Sequence, residues 1–330
     1  MTKKIILIVG TIIVLFFSAF VLLKIQQNKI NQAENTNNSS QNTSLVKATE
    51  STKLNGKIYY ISYKEGSLEI NSYNTSDDKI TTVYSDKDEE YKIGKFGNFT
   101  NLSSEFLATI KNSNKEKLVS FKFNDKADMH VLREDFSISE SFAADPLGKE
   151  IYYSKEFITD SETKHNLYQE TRDGKNQRLL YQANAPILDL SISIDGQKAF
   201  FTQDDNRIIG LDLNTFEDEQ IYKTGDKIFD LSVLSNGNLI FTEANEKNIN
   251  SSIVYLINLK TGELKKDLSL REKMLSSAII SPDMIATGVV QKNFEDNFND
   301  MQTGELSTIR IGSDKINTIG SGIHIICWKP

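Results

Sequence analysis

The chain has 330 residues, of which 38 are Lys or Arg and 45 are Asp or Glu, so its formal net charge is −7 at pH 7. This balance argues against nucleic acid as a partner, because binding to phosphates requires a basic surface. The chain has one cysteine, Cys327, which excludes an intrachain disulfide.

The N-terminal segment carries no charge from Ile5 to Leu23. A helix of this length extends for about 28 Å, which matches the hydrocarbon core of a membrane. A cleaved secretory signal is the competing interpretation, but its apolar stretch is usually shorter, at about 7 to 15 residues. We therefore predict a retained membrane anchor in residues 1–24. Because the N-terminal tail is short, we expect the rest of the chain to lie outside the cytoplasm, at the cell envelope.

Residues 25–54 are rich in Asn, Gln, Ser and Thr and contain almost no large apolar side chains. Such a segment cannot offset the entropy that is lost on folding. We predict a disordered polar stalk that links the anchor to a folded domain at residues 55–330.

The folded domain contains a repeat with an average period of about 45 residues. Its clearest copy, "LSISIDGQKAFFT" at residues 190–202, has an Asp-Gly turn between two apolar runs and predicts a β-hairpin. The second run of this hairpin has six copies, at Ile58–Ile61, Phe106–Thr109, Ile151–Ser154, Ala199–Thr202, Leu239–Thr242 and Met284–Thr287. A period this regular indicates a repeat architecture.

A second series of landmarks advances in register with the first. Each apolar run is followed by an alternating strand that ends in a turn, at Asn74, Asn124, Asp173, Asn214, Lys260 and Gly312. About 45 residues with four short strands is the size of one propeller blade. We predict an all-β fold, a six-bladed β-propeller with four-stranded blades, in which the C-terminal strand "GIHIICWKP" completes the first blade.

The hairpins identify a family resemblance. "SPDM" at residues 281–284, "SIDGQKAFF" at 193–201 and "DPLGKEIYY" at 145–153 resemble the Ser-Pro-Asp-Gly-Lys turns of TolB-like propeller repeats. The resemblance implies the fold of residues 55–330. It does not imply the partners of TolB, which has an extra N-terminal domain and is soluble in the periplasm, whereas this chain is predicted to have a helix and a stalk.

The sequence lacks the common catalytic motifs. Its three histidines, His130, His165 and His324, have no second ligand at His-x-x-x-His spacing. It has no Gly-x-Ser-x-Gly elbow and no phosphate-binding Gly-Lys-Ser/Thr loop. We therefore expect no cofactor, no metal site and no enzymatic activity, although a carboxylate-based hydrolase or lyase site on a propeller face would leave no motif.

Two aspartates occupy equivalent places in adjacent repeats. "LDLS" at residues 188–191 recurs as "FDLS" at 229–232, so we expect Asp189 and Asp230 to lie near one mouth of the central channel. Two interpretations remain: each carboxylate caps local backbone amides, or the two carboxylates bind a ligand or a cation.

The connections after the second strands are long at residues 156–166, 243–252 and 291–304. In a propeller these connections decorate a single face. The longest one carries Phe294 and Phe298 among acidic and Asn residues. We predict that these two rings contact a partner, since aromatic anchors dominate interfaces; the alternative is that they pack back onto blade six.

The sequence thus predicts a membrane-anchored, extracytoplasmic propeller that acts as a non-catalytic scaffold for an envelope protein or a glycan. The alternatives are a sensor of small ligands and a propeller hydrolase or lyase. A scaffold requires a broad binding face, whereas the two alternatives require a deep central pocket with converging polar groups.

Overall fold

The structure is a computed structural model that describes residues 54–86, 91–100, 104–112, 115–123, 126–134, 136, 141–159, 162–245, 251–271, 273–293, 303–311, 313 and 315–330. The predicted anchor, the predicted stalk apart from Leu54, and the candidates Phe294 and Phe298 lie outside these residues.

The described residues form β-strands and the turns between them. In chain order the strands are β1 (Lys57–Lys64), β2 (Ser67–Asn74), β3 (Lys79–Ser85), β4 (Lys92–Thr100), β5 (Glu105–Asn112), β6 (Lys115–Phe123), β7 (Ala127–Arg133), β8 (Phe142–Ala144), β9 (Glu150–Ile158), β10 (Thr163–Thr171), β11 (Arg178–Ala183), β12 (Ile187–Ile192), β13 (Lys198–Gln203), β14 (Arg207–Asp212), β15 (Asp218–Lys223), β16 (Lys227–Val233), β17 (Asn238–Asn245), β18 (Ser251–Asn258), β19 (Leu264–Arg271), β20 (Lys273–Ile280), β21 (Ala286–Asn293), β22 (Gly304–Arg310), β23 (Ile316–Gly322) and β24 (His324–Lys329). Among the described residues there is no helix of the length and apolarity that a membrane span requires.

The strands form six antiparallel sheets of four strands each, which confirms the predicted six-bladed propeller. Blade 1 has the order β24-β1-β2-β3, so the last strand of the chain is the innermost strand of the first blade, as predicted. Blades 2 to 6 follow in chain order as β4–β7, β8–β11, β12–β15, β16–β19 and β20–β23. The six innermost strands are therefore β24, β4, β8, β12, β16 and β20.

The burial pattern explains why the second strand of each blade lacks polar alternation. In β13 the residues Ala199 to Gln203 are all buried, because both faces of the strand pack on neighbouring blades. The outermost strand of the same blade, β15, has no buried residue. The apolar runs are thus core between blades, as the sequence predicts.

The hairpin turns owe their sequence to hydrogen bonds within the turn. Ser193 Oγ accepts the backbone amides of Gln197 and Lys198, and donates to Asp195 Oδ1 at 2.6 Å. Gly196 follows with a φ of 70°, a left-handed conformation that glycine adopts at little cost. Ser-x-Asp-Gly is therefore the sequence that closes this turn.

One copy of the apolar run was placed wrongly from sequence. Met284 and Ile285 belong to the turn of blade 6, and strand β21 begins only at Ala286. Met284 takes the glycine position of the turn, with a φ of 60°. Because the glycine landmark is missing here, the sequence pattern places the run three residues too close to the turn.

Candidate functional site

The six innermost strands surround a central cavity of about 530 Å³. Residues of all six innermost strands line the cavity. This volume is within the range of small-molecule sites, which is about 300 to 1,000 Å³. A central pocket is what the small-ligand and the enzyme interpretations both require, whereas a scaffold does not need one.

We select one residue of the cavity lining from each blade. We call these six residues the channel ring: Phe96, Ser141, Asp189, Asp230, Ser277 and His324. In blades 3 to 6 the ring residue stands four positions before the residue that begins the hairpin turn, which is Asp145, Ser193, Leu234 or Ser281. In these four blades the ring residues are thus equivalent positions of the repeat.

Contacts join the inner strands of neighbouring blades. Each pair of adjacent blades shares at least one, between Phe96 and His324, Asn98 and Ala144, Ser141 and Ile187, Ser191 and Val233, Asp230 and Ala278, or Ser277 and Ile325. In five of these six contacts a side chain satisfies a backbone group of the next blade, which an inner strand exposes because it has a neighbour in its sheet on one side only.

Asp189 and Asp230 are equivalent in structure as they are in sequence. Both have a left-handed backbone, with φ of 47° and 56°, at bulges in β12 and β16. Asp tolerates this conformation better than most residues. A bulge re-aims the side chain of a strand, and here it directs both carboxylates toward the next blade.

The two carboxylates accept hydrogen bonds from backbone amides, as the capping interpretation predicts. The amides, however, are not the local ones that this interpretation names. The amide of Asp230 donates to Asp189, and the amide of Ala278 donates to Asp230. The donors belong to the next blade rather than to the local chain. Thr202 Oγ1 also donates to Asp189 Oδ2, at 3.2 Å.

Both carboxylates are held above their usual pKa. Burial raises the pKa of Asp189 to about 6, against the opposing effects of the Thr202 hydroxyl and of Lys95. Burial also raises the pKa of Asp230 to about 7, and the neighbouring Asp189 carboxylate adds to this effect. Both carboxyl groups therefore change their charge near neutral pH.

The opposite side of the ring is aromatic. The His324 imidazole stacks on the Phe96 ring, with centroids 4.2 Å apart and an interplanar angle of 7°. Burial lowers the pKa of His324 to about 4, so the imidazole is neutral at pH 7. Sequence reasoning missed both residues, since neither lies in a motif that recurs in other blades.

Cys327, on β24, is a further reactive side chain of an inner strand. It is buried, and burial raises the pKa of its thiol to about 12, which removes the thiolate that nucleophilic chemistry needs. Within the part of the chain that the structure describes, no group of three or more His, Cys, Asp or Glu residues has the geometry of a metal site.

Replacement of Asp230 by Asn tests the electrostatic state of the ring. Asn retains an oxygen for the Ala278 amide and tolerates the left-handed backbone. Because folding raises the pKa of Asp230, the free energy of unfolding of the wild type falls as pH rises from about 4, which is the pKa in the unfolded chain, to about 7. From pH 5 to pH 8, the free energy of unfolding of Asp230→Asn relative to wild type should rise by on the order of 2 kcal/mol in urea titrations.

The matched control for this prediction is Asp230→Ala, which removes both the acceptor and the residue type that suits the backbone. It should be less stable than Asp230→Asn at both pH values, because the Ala278 amide loses its partner. A difference between Asp230→Asn and wild type that does not change with pH would contradict the raised pKa.

No protein-family model matches the sequence, and no curated protein sequence matches it significantly. The structure, however, resembles solved propellers. It matches TolB from Acinetobacter baumannii with a TM-score of 0.59 and 12% identity, over 83% of this chain and 67% of that chain. It matches a putative TolB from Agrobacterium tumefaciens with a TM-score of 0.56 and 10% identity, over 82% and 90% of the two chains.

The same fold also occurs in an enzyme. Oligogalacturonate lyase from Vibrio parahaemolyticus matches with a TM-score of 0.50 and 10% identity, over 80% of this chain and 74% of that chain. At such low identities the likeness concerns the fold and not the activity. The chain therefore has the fold of the TolB-like six-bladed β-propellers.

Proposed function

We propose that this protein is a non-catalytic binding protein of the cell envelope and that it holds a small ligand in its central pocket. The observation that carries the proposal is the cavity of about 530 Å³ on which side chains of all six blades converge. The wall combines apolar and polar groups, and ligand sites use placed polar groups to orient the ligand.

The fixed position of the two carboxylates supports a role in binding. Asp189 and Asp230 each accept a backbone amide of the next blade. These hydrogen bonds hold both groups in place, and a carboxylate that accepts one amide keeps acceptor sites for a ligand.

The proposed location rests on the sequence. The uncharged segment Ile5–Leu23 would hold the protein in the membrane, and the polar segment that follows would give the propeller reach. The propeller would then face the extracytoplasmic side, where its ligand is a constituent of the envelope or of the medium.

The experiment is a thermal-shift screen of the full-length protein in detergent against amines, amino acids, organic acids and sugars. A ligand should raise the melting temperature, since it binds the folded state alone. The variant Ser232→Trp places a large ring on the cavity wall and should abolish this shift. Its control is Ser235→Trp, the same change at an exposed turn position of the same blade, which should retain the shift.

Two outcomes would contradict the proposed pocket. One is a screen in which no compound raises the melting temperature of the wild type. The other is a ligand whose thermal shift survives in Ser232→Trp, because that ligand must bind elsewhere.

The scaffold for an envelope protein or a glycan is the second candidate function. It is favoured by the hairpin of β9 and β10, which extends past the blade to Ile158 and Thr163. Phe157 and Ile158 near its end are 57% and 71% exposed. Large exposed apolar side chains at a projecting position are typical of interaction sites. The full-length protein as bait, compared with Phe157→Ser/Ile158→Ser, would recover a partner only with the wild type.

A further inference from the structure

The channel ring has two chemically different halves. The blades follow one another in chain order around the cavity, so blades 4 and 5 lie opposite blades 1 and 2. Asp189 and Asp230, which we call the acid pair, therefore face Phe96 and His324, which we call the aromatic pair. Ser141 and Ser277 occupy the two blades between them.

The charges of the cavity wall do not balance when the acid pair is ionised. Lys95 is the one cationic side chain among the described lining residues, and it acts on Asp189, whose pKa it lowers. The influences on Asp230 include burial, the Ala278 amide and the Asp189 carboxylate, but no cationic side chain. His324 is neutral at pH 7. The cavity thus has room for one further positive charge beside Asp230.

The aromatic half adds a requirement on shape. The Phe96 ring and the His324 imidazole are parallel and line the cavity. Aromatic walls bind flat apolar surfaces and also attract cations through their π faces. A ligand that spans the ring would therefore meet carboxylates at one end and aromatic rings at the other.

We propose that the central pocket binds a monovalent organic cation, in which an ammonium group contacts Asp189 and Asp230 and a flat apolar body packs against Phe96 and His324. This inference rests on the proposed function, of which it names the ligand class. The cavity of about 530 Å³ accommodates such a molecule.

The site should respond to pH in one direction. The cation needs ionised carboxylates, and the pKa values of Asp189 and Asp230 are raised to about 6 and about 7. The charged groups that act on the pair are Lys95 and Asp205, and His324 stays neutral above pH 5. Affinity should therefore fall as pH drops from 8 to 5, by about tenfold or more, since each pH unit below a pKa weakens a charge-dependent contact by up to tenfold.

The test is calorimetric titration of the full-length protein at pH 8 with three probes. Phenethylammonium carries both the charge and the ring, 2-phenylethanol replaces the ammonium by a hydroxyl, and ethylammonium lacks the ring. We expect phenethylammonium to bind at least about tenfold more tightly than either analogue, since each loses one half of the contact. Its affinity should also fall on acidification to pH 5.

Variants test the acid pair and the aromatic pair separately. Asp189→Asn/Asp230→Asn retains acceptors for the backbone amides and should weaken phenethylammonium at least about tenfold. Phe96→Leu should weaken phenethylammonium but not ethylammonium. The control is Asp205→Asn, which removes a nearby carboxylate outside the cavity lining and should change the affinity by less than about twofold. If the double variant does not fold, Asp230→Asn alone and the pH profile of the wild type decide.

The failure of this inference differs from the failure of the proposed function. Equal binding of 2-phenylethanol and phenethylammonium, or binding that is stronger at pH 5, would overturn the cation inference. If such a ligand is lost in Ser232→Trp, the pocket remains the ligand site. If no compound of any class binds in the pocket, both proposals are wrong.

Discussion

Removal of residues 323–330 is expected to abolish the stable fold of the propeller. These residues contain β24, which pairs with β1 and supplies Ile325, Ile326, Cys327 and Trp328 to the core. Burial of one large apolar side chain contributes about 1.5 to 3 kcal/mol. Loss of four such residues, together with the pairing to β1, is comparable with the whole stability of a domain, at about 5 to 15 kcal/mol.

The measurement is urea unfolding followed by near-ultraviolet circular dichroism. Deletion of Pro330 alone is the control and should leave the midpoint unchanged, since Pro330 is exposed and lies beyond the strand. If the truncated chain cannot be purified, Trp328→Ala provides a milder test. Its indole is buried and donates to Asn55 O at 3.1 Å, so its loss should cost about 3 to 5 kcal/mol. An unchanged midpoint in either variant would contradict closure by β24.

The architecture was predictable from sequence because the diagnostic hairpin is local. In the turn from Ser193 to Lys198, Ser and Asp make hydrogen bonds within the turn and Gly adopts a positive φ, all within six residues. A local signal of this kind recurs wherever the hairpin recurs. Blade 6 shows the limit of prediction from this local signal. Met284 replaces the glycine at positive φ, and the sequence pattern then misplaces the apolar run of that blade.

The candidate site was only half predictable, for the same reason. Asp189 and Asp230 follow from the repeated "LDLS" and "FDLS" motifs, which precede recognisable hairpins. Phe96 and His324 come together only when the ring closes between blades 1 and 2. His324 lies in β24, which pairs with β1 from the other end of the propeller rather than with a strand that follows it. A contact between residues more than 220 positions apart leaves no local pattern.

The partners of the two carboxylates show a second limit. One of the two sequence interpretations has each carboxylate cap local backbone amides, but the donors lie in the next blade, at Asp230 and Ala278. The cause is the bulge in each inner strand, which directs the side chain away from its own sheet. Bulges depend on the pairing of two strands, and so the sequence of one strand does not predict them.

A buried ionic contact also joins neighbouring blades, at Glu105 of blade 2. Its side chain is 2% exposed and lies 2.7 Å from Arg172 Nη1 of blade 3 and 3.3 Å from Lys122 Nζ. Arg172 Nη1 also donates to Gly148 O at 3.1 Å. Burial alone would raise the pKa of Glu105, but Arg172 and Lys122 together lower it below its usual value.

Replacement of Arg172 by Met is expected to destabilise the propeller by about 3 kcal/mol, because removal of one partner leaves a buried carboxylate with insufficient compensation. Glu105→Gln in the same chain should recover part of this loss. The lowered pKa of Glu105 adds stability that is present above the unfolded pKa and lost as pH falls through the folded value, so Arg172→Met should cost less at pH 3 than at pH 7. Lys198→Met is the control: its contact with Glu219 is exposed and should change stability by less than about 1 kcal/mol in urea unfolding. Equal losses in Arg172→Met and Lys198→Met would show that the contact between blades 2 and 3 contributes no more than a surface ion pair.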